Sequence, residues 1–174
     1  MFQHRRYIDT YFSTYTILNW QHLLNSDTNK NIIINSLKYL VENKRIVLYS
    51  FVIMPNHIHL IWEICEGNRL QDVQRDFLKF TSQHFLYDLR KNSALLDNYI
   101  STTKDRKHQI WERRGLSVLI YNQKVLEQKL KYIHNNPLQN KWKLARNAND
   151  YHYSSANFYF TGNDNWGFLK HYAG

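Results

Sequence analysis

The 174-residue sequence has little of what marks disulfide-rich, membrane-spanning or disordered proteins. It contains a single cysteine, Cys65, so it has no disulfide framework and nothing in it indicates secretion. No apolar run reaches the roughly eighteen residues that a membrane-spanning helix needs. It also lacks internal repeats, low-complexity runs and a linker between domains, while its hydrophobic content of 43% is typical of folded proteins. We therefore expect one folded domain over 1–174, located in the cytoplasm.

Acidic residues are scarce relative to basic ones. The chain has 14 Asp and Glu against 23 Lys and Arg, which gives a formal net charge of +9 and a pI near 9.6. An excess of basic over acidic residues of this size indicates a polyanionic partner, most often nucleic acid. The cations are accompanied by 13 Tyr, 9 Phe and 5 Trp, and aromatic side chains are the usual stacking surfaces for single-stranded bases. Composition thus favours nucleic-acid binding and leaves open whether a reaction is catalysed.

Apolar periodicity predicts the order strand, helix, strand, strand, helix, strand, followed by a third helix. The predicted strands span 11–20, 46–54, 57–64 and 110–121, and the predicted helices span 30–43, 69–92 and 123–136. Residues 93–110 are polar without clear periodicity, which predicts a loop. This order is the ferredoxin-like split βαβ pattern, an α+β fold whose antiparallel sheet carries helices on one face and leaves the other open. We expect a basic arm at 1–10 and a basic, aromatic C-terminal extension at 138–174.

Two histidines begin the third predicted strand. Residues 54–62 read Met-Pro-Asn-His-Ile-His-Leu-Ile-Trp, and strand alternation puts His57 and His59 on one face, about 7 Å apart. Two neutral imidazoles held by a rigid sheet can share one divalent ion. A His-x-His pair by itself is more often only two polar residues on the solvated face of a hairpin. The pair therefore indicates a metal site without establishing one.

The third predicted helix presents a tyrosine and an amide on the same edge. Its apolar stripe contains Leu126, Leu130 and Ile133, and Tyr132 lies about 100° from the centre of that stripe. Asn136 follows one turn later on the same edge. A single tyrosine more often packs its ring and leaves its hydroxyl at the surface, and Asn136 could simply end the helix. Both interpretations stay open at this point.

Three segments taken together resemble REP-associated tyrosine transposases, which belong to the single-tyrosine HUH nucleases. The segments are Met-Pro-Asn-His-Ile-His-Leu-Ile at 54–61, Lys-Tyr-Ile-His-Asn-Asn-Pro at 131–137 and Asp-Tyr-His-Tyr-Ser-Ser-Ala at 150–156. The resemblance spans nearly the whole chain, although 93–110 finds no match. It implies that His57 and His59 are metal ligands, that Tyr132 is the nucleophile and that Asn136 is the third ligand. It also implies a single-stranded DNA substrate with hairpin-forming palindromic repeats, bound by a monomer or a homodimer.

These inferences combine into one expected function and two alternatives. We expect a transposase-like single-stranded DNA endonuclease and strand transferase that works through a 5′-phosphotyrosine intermediate. The mixed nitrogen and oxygen ligand set suits Mg²⁺ or Mn²⁺, and basic side chains could hold the DNA phosphates. The main alternative is a non-catalytic hairpin DNA-binding or RNA-binding protein derived from a transposase, and a metal-dependent hydrolase without a covalent step is the second. The candidate phosphate contacts are Arg5, Arg6, Arg113, Arg114, Lys141, Lys143 and Arg146.

Overall fold

The computed structural model describes residues 7–174, so the predicted arm residues Arg5 and Arg6 lie outside the described part. Four strands form one antiparallel sheet in the order β2-β3-β1-β4. The strand β3 lies between β1 and β2, as the split βαβ pattern requires. The predicted α+β class and antiparallel sheet are confirmed. The strands are β1 (Thr10–Thr16), β2 (Ile46–Ile53), β3 (His57–Ile64) and β4 (Leu116–Leu119).

Two long helices cover one face of the sheet. They are α1 (Asp27–Glu42), whose first turn is capped by the Ser26 hydroxyl, and α2 (Leu70–Leu89). Both pack apolar side chains against the even-numbered residues of β3 in the larger hydrophobic core. Trp62 is fully buried there, and burial of a side chain of this kind stabilises the fold by roughly 1.5–3 kcal/mol. This layer makes β3 a rigid support for the histidines on its other face.

The face that carries the histidines is not open, which corrects part of the sequence prediction. After the four-residue helix α3 (Ser93–Leu96), helix α4 (Gln123–Asn135) packs on this face and forms a second, smaller core. Leu126 and Ile133 of α4 are fully buried in the same cluster as Ile61 of β3. Because the histidine face also contains apolar residues, it offers the stripe of α4 a surface on which to pack.

The segment before β4 differs from the prediction. The strand is shorter than 110–121 because Trp111 forms only an isolated bridge to Ile17 and then leaves the sheet. Residues 93–110 are not a simple loop, since α3 is followed by a 3₁₀ turn at Asp97–Tyr99. At Gly115 a Cβ would lie 2.7 Å from the ring of Tyr15, so the start of β4 requires glycine.

The C-terminal extension covers the free edge of β2. The Ile53 amide donates to the carbonyl of Tyr153 at 2.9 Å, and the Lys170 amide donates to the carbonyl of Leu48 at 3.0 Å. Between these contacts runs the short helix α5 (Ala156–Thr161). The extension is therefore integrated into the fold. Within residues 7–174, no helix has the length and apolar character needed to cross a membrane.

Candidate active site

His57 and His59 lie side by side at the start of β3 and are held by neighbouring polar side chains. Their ring centroids are 4.8 Å apart, and the exposed fractions of the two residues are only 6% and 4%. The Nδ1 atom of His59 lies 2.8 Å from the hydroxyl of Thr14, its cross-strand partner on β1. The Nδ1 atom of His57 lies 2.7 Å from Oδ1 of Asn56. Since an amide oxygen only accepts, His57 donates through Nδ1 and presents Nε2 as a lone-pair donor for a metal.

Both imidazoles are held in their neutral form. Burial lowers the pKa of His57 to about 4, and the nearby Lys141 ammonium acts in the same direction. Burial likewise lowers the pKa of His59 to about 3, helped by His57, Lys129 and Lys141. Neutral imidazole is the form that ligates metal ions, so the site offers two ready nitrogen donors at neutral pH.

Helix α4 brings Tyr132 and Asn136 to these histidines. The Tyr132 ring stands nearly perpendicular to that of His59, with 5.2 Å between the ring centroids. Tyr132 is 45% exposed, so its position combines contact with the site and access from solvent. Asn136, at the end of α4, is only 2% exposed and lies adjacent to the His57 ring. The four residues that the resemblance singled out therefore meet in one place.

Two buried polar atoms of this group have no hydrogen-bond partner among the described residues. They are Nε2 of His59 and Oδ1 of Asn136. A buried polar atom without a partner costs about 1–3 kcal/mol, and a divalent cation would satisfy a nitrogen and an oxygen donor together. Over residues 7–174, no group of three or more His, Cys, Asp and Glu side chains could hold a metal. An amide such as Asn136 would thus have to complete the ligand set.

The four residues line an open cavity of about 450 Å³ between β1, β3 and α4. Its walls include cations, which make it suited to a phosphate-bearing chain. Arg114 and Lys141, both predicted from the sequence, line this cavity. The remaining lining residues are Phe12, Thr14, Thr16, Trp20, Leu116, Lys129 and Gln139.

The other predicted cations lie elsewhere. Arg113 pairs with Asp105 at 2.9 Å and lines a separate groove against α2. Lys143 and Arg146 are exposed but are not part of the wall of the 450 Å³ cavity. Only part of the predicted cationic set therefore surrounds the histidines and Tyr132.

Sequence reasoning missed several residues of the site. Lys129 lies three positions before Tyr132, on the same edge of α4, and its ammonium sits 4.7 Å from the centre of the Phe12 ring. The three-residue spacing between Lys129 and Tyr132 already indicates in the sequence that both side chains lie on the same edge of the helix. Asn56 directly precedes the first histidine, and nothing in the sequence distinguishes it as a residue of the site. Thr14 gave no signal, because its position opposite His59 depends on the register between two strands.

His134 belongs to the opposite side of α4, as helical spacing predicts. Its Nε2 lies 2.9 Å from the hydroxyl of Ser155 and 3.3 Å from that of Ser50. Burial lowers the pKa of this imidazole to about 4. His134 thus fastens α4 to β2 and to the C-terminal extension, and it does not face the cavity.

Comparison with known proteins identifies similarity at the level of structure. No family model and no curated protein matches the sequence. The chain is similar to a solved REP-associated tyrosine transposase bound to a REP hairpin, with a TM-score of 0.65 and 21% identity, over 98% of this chain and 92% of that chain. A second structure, from Deinococcus radiodurans R1 and provisionally described as a transposase, has a TM-score of 0.47 and 13% identity, over 72% and 88% of the two chains. The similarity to the first structure covers almost the whole length of both chains. This protein therefore has the fold of a REP-associated tyrosine transposase, as the sequence motifs predicted.

Proposed function

We propose that this chain is a transposase-like enzyme that nicks and rejoins single-stranded DNA beside hairpin-forming repeats, with Tyr132 as its nucleophile. The observation that carries the proposal is the meeting of Tyr132 with His57, His59 and Asn136 in one cation-lined cavity. These residues come from β3 and from α4, which lie far apart in the sequence. A protein that only binds nucleic acid needs no such arrangement.

The donor set fits a divalent cation. His57 and His59 are neutral imidazoles with fixed rings, and Asn136 adds an amide oxygen that has no other partner among the described residues. These three side chains would hold the ion, and their mixed nitrogen and oxygen set suits Mg²⁺ or Mn²⁺ in an open catalytic site. When bound, such an ion would supply Lewis-acid neutralisation of the charge on the scissile phosphate.

Tyr132 would carry out the covalent step. Its phenolic oxygen would attack the phosphorus and form a new phosphorus–oxygen bond, while the bond from phosphorus to the 3′ oxygen breaks. The phenol loses its proton to solvent, and the departing 3′ oxygen gains one to become a free hydroxyl. The protein retains the 5′ phosphate as a phosphotyrosine ester. Because this ester conserves the energy of the phosphodiester, attack by a 3′ hydroxyl could rejoin strands without ATP.

Cations around the cavity would position the DNA. Lys129 and Lys141 lie close enough to the histidines to lower the pKa of His59, so their charges act at the site itself. Arg114 lines the same cavity, from the segment that leads into β4. Such side chains bind phosphate oxygens and set the register of the strand. The structural neighbour was solved with a REP hairpin, which supports hairpin DNA as the substrate class here.

The test uses hairpin DNA from repeats that flank the gene, with Mn²⁺ and two alternative labels. A 3′ label should appear on the protein as a covalent adduct that survives denaturing electrophoresis, and a 5′ label should appear on a shortened free strand. Tyr132→Phe should abolish both products and retain binding. Cleavage by Tyr132→Phe would contradict the proposal. Tight hairpin binding without cleavage by the unmodified chain would instead support a non-catalytic binding protein.

A further inference from the structure

Trp20 is an exposed tryptophan at the cavity that holds the candidate active site. It is 63% exposed, whereas the other tryptophans, all within the described residues, are buried or half-buried. Each of those four packs against at least one other aromatic or imidazole ring, and none of the ring contacts within residues 7–174 involves Trp20. Trp20 lines the same cavity as His57, His59 and Tyr132. A bulky aromatic residue exposed at the wall of this cavity is available for contact with a bound ligand.

The backbone that presents Trp20 is held in an unusual conformation. Asn19 and Trp20 both have left-handed φ values, 53° and 56°, which L-residues other than glycine rarely adopt. Three hydrogen bonds maintain this conformation. The Asn19 amide donates to Oε1 of Glu112 at 2.8 Å, and the Trp20 amide donates to the carbonyl of Ile17 at 3.0 Å. The third comes from Asn56, whose Nδ2 donates to the Trp20 carbonyl at 3.3 Å. Strained backbone that the surroundings maintain is a recurrent feature of ligand sites.

Asn56 connects Trp20 to the first histidine. The same amide side chain that donates to the Trp20 carbonyl accepts from Nδ1 of His57 at 2.7 Å. One side chain therefore holds both the backbone that carries the indole and the orientation of a candidate metal ligand. The backbone of Trp20 is thereby tied to the first of the two histidines.

We propose that Trp20 is a stacking platform for one unpaired nucleobase next to the scissile phosphate. This inference rests on the proposed function and extends it by naming how the single strand is recognised. Base stacking on an aromatic side chain tolerates every base, since each has a π face. The cations Lys129 and Lys141 line the same cavity and offer phosphate contacts. In a duplex the base would already be stacked between its neighbours, so the platform selects single-stranded DNA at the cleavage position.

The experiment places 2-aminopurine at successive positions around the cleavage site, and binding is measured with Mn²⁺ in a Tyr132→Phe background, which prevents cleavage. One position should show strong fluorescence quenching on binding, and that quenching should disappear in Trp20→Ala. Affinity for the single strand should fall about 5- to 150-fold in Trp20→Ala, which corresponds to the loss of one stacked base. Trp20→Phe should restore most of the affinity, because it retains an aromatic face. Binding of a fully paired duplex should not change.

Tyr39→Ala is the matched control. Tyr39 is 59% exposed on α1, which covers the opposite face of the sheet from α4. The proposal would be overturned if Tyr39→Ala lost as much affinity as Trp20→Ala, or if Trp20→Ala lost none. It would also be overturned if no 2-aminopurine position were quenched in the protein that retains Trp20. The covalent adduct with unmodified Tyr132 is scored separately. If no covalent adduct forms with Tyr132 intact but quenching still depends on Trp20, only the enzymatic proposal is refuted. If the adduct forms but no quenching depends on Trp20, only the stacking platform is refuted.

Discussion

Tyr132 and His59 stand with their ring centroids 5.2 Å apart and their planes at 68°, one on α4 and the other on β3. The contact exists because Leu126 and Ile133 of α4 are buried against the apolar part of the histidine face, including Ile61. Their burial sets how α4 lies over the sheet. The edge of α4 that carries Tyr132 and Asn136 is consequently held above the histidines.

Tyr132→Phe should separate cleavage from folding. The hydroxyl belongs to a residue that is 45% exposed, so its loss should change the free energy of unfolding by less than about 0.5 kcal/mol. The covalent adduct should nevertheless disappear, because no oxygen remains to attack the phosphorus. Urea unfolding and an adduct assay on the same preparations check both parts. A large loss of stability would show that the phenol has a structural role.

Mn²⁺ should stabilise the folded protein. A ligand that binds only the folded state at roughly 100 times its Kd adds about 2.7 kcal/mol to the free energy of unfolding. For a chain of this size we expect a rise in Tm of about 5–10 °C. His59→Ala and Asn136→Ala should each lose most of this rise, measured as the difference with and without metal in each variant.

His84→Ala is the control for the metal titration, since His84 is exposed on α2, away from the histidine face. It should retain the full response to Mn²⁺. A metal-dependent rise in Tm that persists in His59→Ala would place the cation elsewhere in the molecule.

Thr14→Val should weaken metal binding without disturbing β1. Valine matches threonine in shape and suits a strand, but it removes the hydroxyl that lies 2.8 Å from Nδ1 of His59. Loss of a group that orients a ligating histidine typically lowers metal affinity 10- to 100-fold. Titration with Mn²⁺ measures the change.

Thr16→Val is the matched control for that substitution. Thr16 lies on the same strand and lines the same cavity, but its side chain makes no hydrogen bond to either histidine. Equal losses in the two variants would show that cavity polarity, not the bond to His59, sets the affinity.

Binding of single-stranded DNA should weaken as the salt concentration rises. A small number of lysine side chains around the cavity should account for part of this dependence. Each phosphate contact that is lost should reduce the slope of log K against log salt by about 0.7. Lys129→Gln and Lys141→Gln should each show this reduction, because both lysines line the cavity. Lys38→Gln should leave the slope unchanged, since Lys38 lies on α1 and pairs with Glu42 at 3.8 Å. A uniform effect of all three substitutions would indicate that net charge alone controls binding.

Much of the fold was predictable because its signals are local. Alternation identified β3 from the residues that follow Asn56, and the 3.6-residue period identified α1, α2 and α4 to within a few residues at each end. The end of β4 was also near its predicted place. Its start was not, because Trp111 is extended and buried without joining the ladder. Pairing between strands, which a periodic pattern does not contain, decides where a strand begins.

The chemistry available to this protein follows from its local sequence, because the types and spacing of His57, His59, Tyr132 and Asn136 are evident in two short segments. The tertiary structure decided which side chains share a cavity. It brought Thr14 to His59 through strand register, and it made Trp20 and His57 share the amide of Asn56. It also separated Arg113 from the cavity that Arg114 lines. Helical and strand periods specify which way a side chain points from its own element. Packing of α4 onto the sheet specifies what that side chain meets.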